Sequence, residues 1–307
     1  MDALSDVLHR AQLEAAVYLC GDLCAPWRIV WPLQRAQCAT FPRPAGCVAP
    51  YYLVIQGSCW VCPVDDPADA IRADAGEFVV LPRGQAHLIG NSREAVQESA
   101  GNLPAYPGCA PGEPVKSGSS GRTAQTRLIC GFFGCHDTIT NPILLGLPGV
   151  FKSDLRNDPR SSWLEWIFGL AATEAAEWSP GSAVALARLS ELFFVAALRR
   201  YIDALPADRK GWLAGVGDRF VGRALAMLHG NPAHGWTAEQ LAQKTGLSPA
   251  ALVQRFTDLL GEPPLHYLAR LRLEIAAQKL ANDMVAIGRE KQAGFEPETG
   301  TNCRLKR

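Results

Sequence analysis

Between Trp27 and Phe133 the apolar positions come in short runs, WRIVW, YYLVIQGSCWVC, EFVVLP and TRLICGFF, bounded by Pro or Gly. Runs this short, broken so often by turn residues, predict the strands of a sandwich or barrel. Alternation from Tyr52 to Trp60 places Tyr52, Val54, Ser58 and Trp60 on one face of an extended chain. The segment from Glu98 to Gln125 is dense in Gly, Pro and Ser and reads as a long loop inside the β region. From Asn141 the period lengthens. SSWLEWIFGLAATEAAEW and SAVALARLSELFFVAALRRYIDAL carry apolar residues at helical spacing. In the second, Leu186, Leu189, Phe193, Ala196 and Leu198 form one stripe that suits either the chain's own sheet or a dimer seam. Leu4, Val7, Leu8 and Ala11 predict a short amphipathic helix at the start. Ala204 to Asp218 reads as a linker.

Beyond the linker the pattern is helical throughout. DRFVGRALAMLHGNPAH predicts a helix stopped by Gly230, Asn231 and Pro232. In WTAEQLAQKTGLSPAALVQRFTDLLG, Thr237 followed by Gln240 fits a capping box. Gly246 supplies a turn with positive φ, and Ser248 is an N-cap with Pro249 at the first helical position. Two short helices about such a turn are the helix-turn-helix pattern, with Leu241, Leu247, Leu252 and Phe256 expected to face inward.

The 307 residues suffice for two domains, and 48% hydrophobic with 20% charged residues is ordinary for a soluble globular chain. No apolar run is long enough for a transmembrane helix, and the N-terminus opens on acids rather than a basic leader. A cytoplasmic protein is expected, in which ten cysteines are reduced thiols, metal ligands or redox sensors. Formal net charge is zero, so bulk charge gives no sign of a nucleic-acid partner. Residues 216–307, however, hold 12 Lys and Arg against 9 Asp and Glu, a net of +3. That leaves room for a local basic face.

GEFVVLPRGQAHLIGN fills the spacing G-x5-P-x-G-x2-H-x3-N at Gly76, Pro82, Gly84, His87 and Asn91. It resembles the second signature of the cupin barrel, where the His usually binds a metal. The first signature, G-x5-H-x-H-x3,4-E-x6-G, laid from Gly46 puts Tyr52 and Val54 at the His positions, and no His occurs between Arg10 and Ala86. One imidazole cannot hold a catalytic metal, which takes about three protein ligands. The signature therefore reads as a scaffold, with His87 pointing into a pocket or forming a buried hydrogen bond. Tyr52, Trp60, His87 and Cys130 are the candidate ligand-binding residues for a small organic effector, and a filled hydrophobic barrel is the alternative.

The segment RFTDLLGEPPLHYLARLRL, with the helix-turn-helix before it, resembles the arabinose-regulator (AraC/XylS) family of transcription factors. YYLVIQGSCWV, GEFVVLPRGQAHLIG and TRLICGFF extend the resemblance to members carrying a cupin-type sensor. It implies an α+β multidomain chain: a cupin-like β-barrel (jelly roll) at 1–140, a helical dimerisation and linker region at 141–215, and an all-α DNA-binding domain at 216–307. It also implies promoter DNA, a small-molecule or oxidant effector, a homodimer and, for an activator, RNA polymerase as partners. DNA contacts fall on Ser248, Ala250, Ala251, Gln254 and Arg255 of the first recognition helix. The family carries a second helix-turn-helix, and VAIGRE and AGFEPETG look like its halves. Against that family pattern Lys291 and Gln292 are an added pair in its turn, Pro249 stands where Arg is common, and Arg304 and Lys306 still offer phosphate contacts.

Cysteines offer another trigger. Cys20 and Cys24 sit four apart at a predicted helix end, close enough to pair. Cys130, Cys135 and His136 fall together at a strand end, where His136 could activate a thiol or, with Cys109, complete a zinc or other soft-metal site. Cys59 and Cys62 form a CxxC whose members point to opposite faces of a strand. The reading is a DNA-binding regulator and not an enzyme. A non-DNA-binding interaction protein and a degenerate cupin enzyme are the alternatives.

Overall fold

The apolar runs become strands, and three of the turns between them carry a glycine at positive φ, Gly57, Gly76 and Gly84. The computed structural model describes residues 2–11, 13–25, 27–31, 47–94, 126–135, 142–156, 162–206 and 208–292. After helix α1 (Ala3–Ala11) come strands β1 (Glu14–Leu23), β2 (Arg28–Trp31), β3 (Cys47–Gln56) and β4 (Ser58–Pro63). Next are β5 (Ile71–Asp74), β6 (Glu77–Val80), β7 (His87–Gly90) and β8 (Thr126–Cys135). Helix α2 (Pro142–Gly146) and strand β9 (Phe151–Asp154) precede helices α3 (Ser162–Glu177), α4 (Ser182–Asp203) and α5 (Trp212–Gly217). The remaining helices are α6 (Val221–Gly230), α7 (Ala238–Thr245), α8 (Pro249–Leu260) and α9 (Pro264–Gln292). Two compact units result, Leu4–Gly217 and Asp218–Arg307 with Met1–Ala3. Among the described residues no helix is long and apolar enough to cross a membrane.

The first unit is a cupin-type sandwich of antiparallel sheets, ordered β1-β8-β3-β6-β9 and β2-β7-β4-β5. Strand β9 lies in a stretch whose pattern reads as helical; it pairs with β6 from Glu77 opposite Asp154 to Val80 opposite Phe151. The core between the sheets takes Tyr52 and Val54 from β3, Cys59 and Val61 from β4, Ile89 from β7 and Phe132 from β8. The opposite face of the first sheet is covered as well. Tyr51 and Phe133 pack with ring centroids 4.6 Å apart, and Phe133 meets Phe194 of α4 at 5.0 Å. Burial on both faces explains why YYLVI and LICGFF are continuous apolar runs rather than alternating ones.

Helix α4 packs on β1, β6 and β9, which settles the two readings of its stripe. Leu186, Phe193, Ala196 and Leu198 are buried there, and Leu189 is half-buried. The stripe serves the chain's own sheet.

The alternation from Tyr52 to Trp60 needs a correction. At Gly57, with φ of +74°, the chain passes from the first sheet to the second, and the inward parity changes. Cys59 and Val61 face the core, whereas Ser58 and Trp60 are only half-buried. Trp60 instead lies under the Arg93 guanidinium, 5.7 Å from its ring centroid. It is therefore not a pocket residue beside Tyr52.

The signature glycines have local reasons. Gly84 adopts φ of +63°, and a Cβ there would stand 2.3 Å from the Val48 carbonyl oxygen. Gly84→Ala is expected to destabilise the sandwich by about 1–3 kcal/mol, read as a lower urea midpoint at unchanged slope.

Candidate functional site

His87 and Tyr52 meet between the sheets. Strand β7 turns His87 inward, where it is fully buried, and β3 supplies Tyr52 at 2% exposure. His87 Nδ1 donates to the Gln85 carbonyl oxygen at 2.8 Å, which leaves Nε2 to accept from the Tyr52 hydroxyl. Burial lowers the His87 pKa to about 4, partly opposed by the hydrogen bond to Gln85. Burial also holds the Tyr52 phenol well above its usual range. Both groups are thus neutral at pH 7 (a donor and acceptor pair without charge). Tyr52 occupies the position the first signature gives to a metal-binding His, and the nitrogen it caps is spent on the hydroxyl.

Trp31 and Phe132 complete the surroundings, with Trp31 6.4 Å from His87 and 5.0 Å from Phe132 between centroids. Neither stood out in the sequence, although both lie in the strand runs WRIVW and TRLICGFF. Cys130, opposite Tyr52 in the β3–β8 register, belongs to the same core. Asn91, the last signature residue, accepts a hydrogen bond from the Trp27 backbone N–H at 2.7 Å and fixes the start of β2. Tyr52, Cys130, Trp31 and Phe132 are all members of the packed core between the sheets, and His87 is the polar group buried among them.

The cysteine groupings are redrawn by the strands. Cys20 lies in β1, not at a helix end, and Cys24 follows that strand. Four residues of extended chain span roughly 13 Å, too far for the pairing a helix would allow. Cys130 and Cys135 both lie in β8, five positions apart, so they are separated by roughly 16 Å along the strand. Cys109 and His136 lie outside the described residues. Cys59 sits in the core with its pKa raised to about 12 by burial, helped by Glu77 and Asp74; it is a thiol, not a reactive thiolate. Cys62 turns instead to the Pro63 and Pro67 carbonyls. Among the described residues no group of three or more His, Cys, Asp or Glu converges as a metal would require.

The second unit contains the helix-turn-helix. Thr237 Oγ1 accepts from Gln240 N at 3.2 Å, and Gln240 Oε1 accepts from Thr237 N at 3.2 Å, closing the capping box of α7. Gly246 ends that helix at φ of +83°. Ser248 Oγ accepts from Ala251 N at 3.3 Å and caps α8, with Pro249 first in the helix. Leu241, Leu252 and Phe256 are fully buried, while Leu247 is half-buried. Thr237→Ala is expected to lower the stability of this unit by about 1 kcal/mol, measured by urea unfolding.

Ala250, Ala251, Gln254 and Arg255 are exposed on α8, and so is its cap Ser248. Gln254 Nε2 donates to Asp258 Oδ1 at 2.8 Å. Arg255 is held by Asp218, Nε to Oδ2 at 3.0 Å and Nη2 to Oδ2 at 2.5 Å. Asp218 also accepts from the backbone of Phe220 and Val221 at 3.0 and 2.9 Å. Burial pushes the Asp218 carboxyl up, but the hydrogen bonds from Arg255, Val221 and Phe220 outweigh it and keep its pKa below the ordinary value.

The second helix-turn-helix reads differently in three dimensions. Residues of VAIGRE do not start a new unit; they continue α9, one helix of 29 residues from Pro264 to Gln292. Gly288 costs a helix about 1 kcal/mol and has no proline beside it, too little to end a helix this long. AGFEPETG, Arg304 and Lys306 lie outside the described residues.

A two-sheet sandwich and a capped helix-turn-helix in one chain are the parts of a DNA-binding regulator with an added β domain. The cupin family model matches residues 2–203, and the chain belongs to that family. Over its full length it is 27% identical to a Streptomyces antibioticus protein named as an AraC-like transcription regulator, of which it covers 95%. It is 25% identical to the HTH-type transcriptional regulator AlkR of Acinetobacter baylyi, again over all of this chain and 96% of the other. ToxT of Vibrio cholerae, a solved structure, aligns over 83% of this chain and 96% of its own, with 9% identity and a TM-score of 0.31. The full-length likeness assigns this protein to the AraC-like transcriptional regulators with a cupin sensor domain.

Proposed function

We propose that this protein is a cytoplasmic regulator whose cupin sandwich senses a small organic molecule or an oxidant and whose helix-turn-helix reads a promoter. The observation that carries the reading is the doubly capped pair α7–α8, joined through Gly246, behind a sandwich of the cupin family. The effector contacts are Tyr52, His87 and Cys130, joined by Trp31 and Phe132. The DNA contacts lie on the exposed start of α8, from Ser248 to Gln254. The region 141–215 mediates self-association; Trp163, Trp166 and Leu170 of α3 support this, because all three stay exposed. As an activator the dimer would recruit RNA polymerase.

An effector shifts the equilibrium only if it binds one arrangement of the protein more tightly than another. The test is a thermal-shift screen of small organic molecules and mild oxidants against the full-length protein, followed by DNA affinity with each hit. A hit that stabilises the wild type, fails on His87→Leu and changes DNA affinity supports the reading. Hits that leave DNA affinity unchanged contradict it.

A further inference from the structure

Arg255 is the residue of α8 best suited by chemistry to read guanine, since its guanidinium can pair with O6 and N7. The structure gives that guanidinium another task. Among the described residues its hydrogen bonds run to Asp218, 37 positions earlier, through Nε to both carboxylate oxygens and Nη2 to one. Its carbon Cζ also lies 5.5 Å from the Phe220 ring centroid. Asp218 is the anchored partner: its side chain is 11% exposed against 49% for Arg255, and it accepts from the backbone at the start of α6. The pair ties the outward-facing side of the recognition helix to the first turn of α6. A bidentate, charge-assisted contact of this kind fixes orientation as well as distance.

What remains on the face is small. Ala250 and Ala251 present methyl groups at the first turn, and Gln254 one turn later presents an amide. Its Nε2 donates to the exposed Asp258 within the same helix at 2.8 Å, a local bond that a base edge can replace without releasing a neighbouring helix. Methyls pack on the thymine C5 methyl, and a Gln amide pairs with adenine N6 and N7. We infer that Arg255 is a positioning residue, holding α8 in place through Asp218, and that Ala250, Ala251 and Gln254 read an A·T-rich half-site. This rests on the DNA-binding reading above.

The test selects duplexes from a random-sequence pool with the full-length protein and its variants. Wild type should enrich a half-site with A·T pairs under α8, and Gln254→Ala should flatten the preference at one of them. Arg255→Ala and Asp218→Asn should each weaken binding to the enriched duplex by a similar factor, roughly tenfold. The double variant should be no weaker than either alone, and none of these should change which bases are preferred. Arg255→Lys, which restores one contact of the pair, should recover part of the affinity with the same preferences. The inference is overturned if Arg255→Ala erases preference for a G·C pair while Asp218→Asn, which releases the guanidinium, tightens binding. If wild type enriches no sequence at all, the regulator reading itself fails and the base-reading face falls with it. Enrichment by wild type with the Arg255 pattern reversed sinks only the positioning role.

Discussion

Phe256→Ala is expected to abolish DNA binding by unfolding the helix-turn-helix. The ring is fully buried in α8 and meets Tyr267 of α9 edge-on, 5.7 Å between centroids. Tyr267 is in turn hydrogen bonded to the buried His229 of α6 at 2.7 Å. Removing the ring therefore leaves a cavity where three helices converge. Large-to-small changes of this kind cost about 3–5 kcal/mol, a large part of the 5–15 kcal/mol that holds a typical domain. Urea unfolding of the full-length protein should show an earlier transition for the unit that begins at Asp218. Wild-type affinity with an unshifted transition would show that the side chain does not hold these helices together.

The second large effect is a loss of sandwich stability in acid. His87 has a pKa of about 4 when folded, against an ordinary value of 6.5. Between those values the unfolded chain carries the extra proton, so stability rises with pH. The contribution is fully present above 6.5 and lost as pH falls through the window towards 4. At 1.36 kcal/mol per unit this amounts to about 3 kcal/mol. Urea midpoints taken in steps from neutral pH to the low end of that window should fall for wild type. They should fall less for His87→Gln, which has no titrating ring. Parallel slopes for the two proteins would mean that His87 is not a buried neutral imidazole.

Much of this was legible in the sequence because the signals were local. Thr237 with Gln240, Gly246, and Ser248 with Pro249 each specify a cap or turn within a few residues, and each forms. The same holds for Gly84 and Asn91 in the sandwich. Strict alternation misplaces Trp60, because at Gly57 the chain changes sheets and the inward parity changes with it. Cys20 is ambiguous in the sequence because AVYLCGDL suits a strand as well as a helix end, and the pairing of β1 with β8 decides for the strand. VAIGRE keeps helical spacing on either reading, so only tertiary context could show that α9 continues through it. The partnership of Asp218 with Arg255 spans 37 positions and leaves no periodic trace. A lone Arg on a predicted recognition helix suits a phosphate contact, a guanine contact or a solvated position alike, and only the fold brings Asp218 to it.

The most direct measurement is selection of genomic DNA fragments by the purified full-length protein, followed as salt is raised. A sequence-reading regulator is expected to enrich a discrete site and to keep it above the non-specific background as salt increases. Weak binding to every fragment, lost uniformly with salt, would contradict the claim that this helix-turn-helix reads a promoter.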